Sequence, residues 1–151
     1  MPNNKKLTIR TSAEPAISIM RNALHAEQLV YIAVVNKPLA YRDGQSCIAY
    51  IGTTKAGVKR IATSAAYRAP ELLQLHGVHQ LSFFVVTCVA RKRVKTWQKL
   101  ERALIITFKQ RFGEPPKCNN KGTKQSWNDE HHYFTQTRLE GIIRQYSSPQ
   151  K

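Results

Sequence analysis

The stretch LVYIAVVNKPLAYRDGQSCIAYIGTT, residues 29–54, decides the fold. Leu29 to Val35 is a short run of apolar and β-branched residues and predicts a strand. Cys47 to Gly52 predicts a second. Between them Asn36, Pro38, Asp43 and Gly44 are turn formers, so residues 36–46 are expected to form a long loop closing an antiparallel hairpin. Gly52, Thr53, Thr54 and Gly57 predict a turn, with Thr53 or Thr54 capping a helix over about Lys55 to Ala69. Val58, Ile61 and Ala65 are its inward stripe.

Working outward, Pro70 opens a second helix-like piece, PELLQLHG, which Gly77 closes. Gln80 to Ala90 is apolar at odd and even positions alike, the pattern of a strand covered on both faces, and predicts the centre of the sheet. Thr96 is expected to cap a helix from Trp97 to Phe112. Gly113 ends that helix and Pro115-Pro116 blocks its continuation. Lys117 to Asn128 reads as a polar loop. A last helix over about 129–146 carries Phe134, Leu139, Ile142 and Ile143. At the other end, residues 1–11 read as a basic arm. Thr11 or Ser12 would cap a helix over 12–25, with Pro15 in its first turn and Ile17, Met20, Ala23 and Leu24 inward. The expected fold is α+β, a small sheet covered by helices, and 151 residues predict a single domain.

Charge narrows the function. Twenty-four Lys and Arg against nine Asp and Glu give a net charge of +15, which points to a polyanionic partner. Nucleic acid leads. A membrane surface is a weaker candidate, because no basic amphipathic helix with a large aromatic face stands out. No apolar run approaches the length of a membrane span, and the start MPNNKK does not read as a signal peptide. Cys47, Cys88 and Cys118 are odd in number and lack a C-x-x-C, which favours a reducing, cytoplasmic setting over a zinc site. Adjacent His131 and His132 do not face the same way and have no third ligand at a suitable spacing.

Glu101 is the residue out of place. At 100° per residue, Trp97, Leu100, Leu104, Ile105, Phe108 and Phe112 share one apolar arc, and Glu101 projects near its middle. A carboxylate there must be ion-paired, hydrogen-bonded or metal-bound. Spacing alone leaves these open, and an ion pair is the commonest solution.

Five features in order resemble the GIY-YIG nuclease superfamily. They are Leu29-Val30-Tyr31 in one strand, Tyr50-Ile51-Gly52 in the next, and Arg60 eight residues after Gly52. Glu101 follows in the context LERALI, and Asn119 comes behind Pro115-Pro116, with Asn120 as the alternative. The match runs over about 29–122. Leu29 replaces the family's usual Gly, and Ser64 stands four residues after Arg60 where the family often has His or Tyr. Tyr67 and His76 are candidate substitutes.

The resemblance implies a mostly antiparallel three-stranded sheet flanked by helices, and a metal-dependent endonuclease that hydrolyses DNA. Glu101 would hold Mg²⁺ or Mn²⁺, Arg60 would bind the scissile phosphate, and Tyr31 and Tyr50 would orient or activate water. Asn119 would hold the site together or touch substrate. Lys55, Lys59, Arg91, Lys92, Arg93 and Lys121, with Lys95 and Lys124, would meet backbone phosphates. Trp127 would pack or contact a base. A homodimer would supply two sites for two strands. The rival functions are a non-catalytic DNA- or RNA-binding protein on the same fold, and an RNA-acting nuclease.

Overall fold

A computed structural model describes residues 6–22, 25–119 and 126–151. The chain forms an antiparallel hairpin, β1 (Leu29–Tyr41) and β2 (Gly44–Thr54), then α1 (Val58–Leu72), β3 (Leu81–Val86), α2 (Thr96–Phe112), a short 3₁₀ turn (Glu130–His132) and α3 (Gln136–Ser147). The three strands make one sheet in the order β2-β1-β3, and both pairings are antiparallel. The α+β class and the small antiparallel sheet flanked by helices are as expected.

The hairpin differs from the expectation in an informative way. Instead of a long loop over 36–46, the strands run on to a tight turn at Arg42-Asp43, where Tyr41 pairs with Gly44. Asn36 and Pro38 are absorbed inside β1, while Asp43 and Gly44 form the turn and the start of β2. Register shifts between Ala33 and Leu39 carry Asn36, Lys37 and Pro38 out of the ladder with β2. Asn36 then uses its amide elsewhere, donating to the Gly77 carbonyl and accepting from the N–H groups of His79 and Gln80. Leu39 and Tyr41 return to the core, and the Tyr41 hydroxyl donates to the Ile48 carbonyl at 2.6 Å.

The central strand is β1, not the segment after residue 80. Leu29 to Val35 is fully buried, whereas every residue of β3 is half-buried at the sheet edge. Continuous apolar runs occur in both, and only pairing decides which one has neighbours on both sides. β3 still needs apolar residues on both faces: Phe83 packs on Tyr31, and Phe84 stacks on Tyr146 of α3 at 4.9 Å.

α1 runs through Pro70 to Leu72, so the separate helix expected from Pro70 does not form. The lost N–H falls in the last turn, where burying Leu72 offsets the missing bond. Thr54 accepts from the Ala56 N–H at 2.8 Å and caps the turn before α1, while Gly57 at φ 63° takes the N-cap position. Lys95, not Thr96, is the N-cap of α2, and Gly113 closes that helix at φ 77°.

The expected helix over 12–25 is absent among the described residues there, which are extended or bent; Ala23 and Leu24 lie outside them. Ile17, Ile19 and Met20 are exposed, and a short helix with no face to pack against is marginal in water. The expected C-terminal helix splits in two. Glu130 turns inward, and α3 begins only after Thr135, whose hydroxyl accepts from the Arg138 N–H.

The main core lies between the sheet and α2 with α3. Val30, Ile32, Val34, Ile48 and Ile51 meet Leu100, Leu104, Phe108, Leu139 and Ile143.

Candidate nucleic-acid interface and hydrolytic site

Antiparallel register places Tyr31 opposite Gly52, and Ala33 opposite Tyr50, so both tyrosines project from the same face of the hairpin. Their ring centroids are 5.9 Å apart. Gly52 is required between them. A Cβ at Gly52 would lie 2.6 Å from Tyr31 Cζ and 2.6 Å from Tyr50 Cε1. The glycine of the Tyr50-Ile51-Gly52 triad therefore serves a close approach of two rings.

α1 lies against this pair. Tyr31 is 1% exposed, and burial pushes its phenol up from the usual range, opposed by the adjacent Ser64 hydroxyl and the Arg60 guanidinium. Ser64 is itself buried. The residue four after Arg60 thus sits beside the first tyrosine, as a hydroxyl instead of an imidazole or phenol. Tyr67 is 73% exposed and packs under Arg68, and His76 is exposed in the turn beside Lys37, so neither takes that place.

Arg68 was not singled out by sequence reasoning. Its guanidinium lies 4.5 Å above the Tyr50 ring, and its buried Nε has no hydrogen-bond partner among the described residues. The signal was present in the four-residue spacing of Arg60, Ser64 and Arg68, hidden among twenty-four cations.

Asn119 fastens the post-helix loop to β2. Its Oδ1 accepts from the Ile51 N–H at 3.0 Å and its Nδ2 donates to the Ile51 carbonyl at 2.9 Å. The Cys118 N–H adds a bond to the Ala49 carbonyl at 2.9 Å. Asn120, Lys121 and Lys124 lie outside the described residues.

Glu101 opens into a different space, a cleft of about 690 Å³ lined by Thr53 of β2, the Arg93–Lys95 segment, the first turns of α2, and residues 128–130 with Tyr133. It is half-buried, and desolvation raises its carboxyl to about 7. The other two acids of the cleft have cations. Lys99 Nζ meets both Asp129 oxygens at 2.7 and 2.8 Å. Arg102 Nε bonds Glu130 at 2.6 Å. Burial would raise Glu130, but the Asn128 N–H and Arg102 outweigh it and hold the carboxyl below the usual range. Among the described residues Glu101 has no salt bridge. The common expectation of an ion pair for Glu101 is met by its neighbours instead.

Among the described residues no three His, Cys, Asp or Glu side chains gather as ligands. A hard cation that keeps most of its water would need only one or two carboxylates, and Glu101 is the carboxylate of the cleft without a cation partner among the described residues.

Lys55, Lys59 and Arg60 are exposed at the start of α1, and Arg91, Lys92 and Arg93 at a tight turn before α2. Arg93 lines the Glu101 cleft, and Arg91 lies 5.3 Å over the Tyr133 ring. Trp127 packs on His131 at 4.1 Å and against the core.

The structure thus brings Tyr31, Tyr50, Arg60 and Ser64 together, and sets Glu101 in a cleft whose walls include none of them. The two regions adjoin in sequence at Gly52-Thr53, with the rings packed on Gly52 and the cleft lined by Thr53. No helix is long and apolar enough to cross a membrane among the described residues. No protein-family model matches the chain, and no curated protein or solved structure matches it either.

Proposed function

We propose that the protein is a metal-dependent endonuclease of the GIY-YIG type that hydrolyses DNA phosphodiester bonds. The observation that carries this reading is Glu101, a desolvated acid without a cation partner among the described residues, in a cleft walled by Arg93, Lys95, Lys99 and Arg102. A passive binder of polyanions gains nothing from such an acid, which repels phosphate.

Arg60 would bind the scissile phosphate through its planar, permanently charged fork. Tyr31 is buried with its phenol pushed up, so it keeps its proton and acts as a donor. Tyr50 is half-buried and more accessible to a water that it would orient. Asn119 holds the loop that follows α2 against β2. Glu101 would hold Mg²⁺, which when bound supplies Lewis-acid stabilisation of charge on the phosphate and the leaving oxygen. The net charge of +15 would hold the DNA strand across the adjoining surfaces.

One observation favours a second reading, a non-catalytic nucleic-acid-binding protein: the walls of the Glu101 cleft include neither tyrosine nor Arg60. The two are separated by incubating supercoiled plasmid with the protein and Mg²⁺, with EDTA and Glu101→Gln as controls. Nicking that both controls abolish, with DNA affinity retained in Glu101→Gln, is the expected result. Tight binding without cutting, unchanged by the substitution, selects the binder. The same assay with single-stranded RNA tests the RNA-acting alternative.

A further inference from the structure

In the turn Arg91-Lys92-Arg93-Val94, the bridge between Arg91 and Val94 is closed by the Val94 N–H on the Arg91 carbonyl at 3.1 Å. Arg93 occupies the third position with φ 64°, and among the described residues it is the one non-glycine with positive φ. Glycine is the ordinary residue there, because a Cβ crowds the following carbonyl in the left-handed region. The chain carries arginine instead. Arg93 lines the same cleft as Glu101. Of its neighbours in the basic run, Arg91 lies over Tyr133, and Lys92 is exposed and lines no part of the cleft.

The cleft's other cations are unequal. Lys99 is held by Asp129 and Arg102 by Glu130. Among the described residues no salt bridge ties Arg93 or Lys95. Strained backbone at a ligand-facing residue persists where the side chain's position matters more than the turn's stability.

We infer that Arg93 is the phosphate-binding residue of the Glu101 cleft, held in a left-handed turn so that its guanidinium receives a backbone phosphate of a nucleic-acid strand. This rests on the reading that the cleft takes nucleic acid, and it assigns to Arg93 the phosphate next to Glu101, apart from the one facing Arg60.

The test measures binding of the full-length protein to a short labelled DNA duplex in EDTA, across a NaCl titration, beside thermal unfolding. Arg93→Gly relaxes the turn and removes the guanidinium, so its melting temperature stays the same or rises. Its affinity falls about tenfold, and the slope of log K against log salt drops by about one. Arg93→Lys keeps the slope near that of the wild type. Arg144→Ala, the same loss of charge on the exposed face of α3, changes neither slope nor affinity. Wild-type affinity and slope in Arg93→Gly overturn the inference, and so does a loss of affinity matched by a fall in melting temperature. If Arg93→Gly loses binding as expected but the wild type does not cut plasmid with Mg²⁺, the hydrolase reading fails and the phosphate site stands. A wild type that does not bind the duplex overturns both.

Discussion

The side-chain amide of Asn119 brackets Ile51, accepting from its N–H at 3.0 Å and donating to its carbonyl at 2.9 Å. Both backbone groups belong to the residue between Tyr50 and Gly52, on an outer strand of the sheet. One side chain thus covers the edge of β2 at Ile51, beside the second tyrosine. Asn119→Ala removes both bonds at a buried residue. The expected cost is about 2–3 kcal/mol, two net hydrogen bonds plus the penalty of leaving Ile51 unpaired, read from urea unfolding. Affinity for DNA per folded molecule should stay near that of the wild type.

Gly52→Ala tests the contact between the tyrosines. The new methyl would press on Tyr31 Cζ and Tyr50 Cε1 at 2.6 Å, closer than carbon atoms pack. Overpacking of this kind costs about 1–3 kcal/mol. Cleavage of plasmid should fall further than stability does, because the rings must separate. Wild-type cutting by a folded Gly52→Ala protein would show that the pair is packing alone.

Arg102→Ala leaves Glu130 buried, at 1% exposure, without its cation. With Arg102 itself 38% exposed, breaking the pair from one side costs about 1–3 kcal/mol, below the cost for a fully buried pair. Restoring neutrality with the double variant Arg102→Ala, Glu130→Gln should recover a good part of that. The pH dependence follows from Glu130 being held below the ordinary carboxylate range. Its contribution is present above the unfolded value near 4.5 and is lost as pH falls through the lower folded value. Urea midpoints of wild type and double variant should therefore converge in acid.

Glu101 behaves in the opposite sense. Its carboxyl is raised from 4.5 to about 7 by burial, so the folded state holds the proton more tightly than the unfolded state. In EDTA the stability from this group is full below pH 4.5 and declines as pH rises to about 7. Glu101→Gln, which cannot ionise, should exceed the wild type at pH 8 by about 3 kcal/mol, and the gap should close below pH 4.5. A flat difference across that range would show that Glu101 is solvated.

Much of the architecture was legible because local patterns carry it. Apolar β-branched runs marked β1 and β2, and the 3.6-residue periodicity with Gly113 and Pro115-Pro116 marked α2 to within one residue. Glu101 stood out from periodicity alone, and the structure places it half-buried without an ion pair among the described residues. Strand register puts Tyr31 and Tyr50 on one face, beside Ser64 of α1, while Glu101 of the same expected set lines a separate cleft.

The remainder depended on contacts that no window of sequence contains. Leu29 to Val35 and Leu81 to Val86 have similar composition, and only pairing on both sides made the first central. Asn36 and Pro38 are turn formers by type, yet the turn before residue 80 supplied partners that let β1 continue past them. Residues 12–22 carry an apolar stripe, but without a surface to bury it they form no helix. The pairing of Arg102 with Glu130 was invisible for the same reason. The sequence by itself determined the class of fold, the basic character and the oddity of Glu101, because composition and periodicity act locally. Only the tertiary structure decided which cations are already neutralised and which face the cleft, because that depends on residues some thirty positions apart meeting in space.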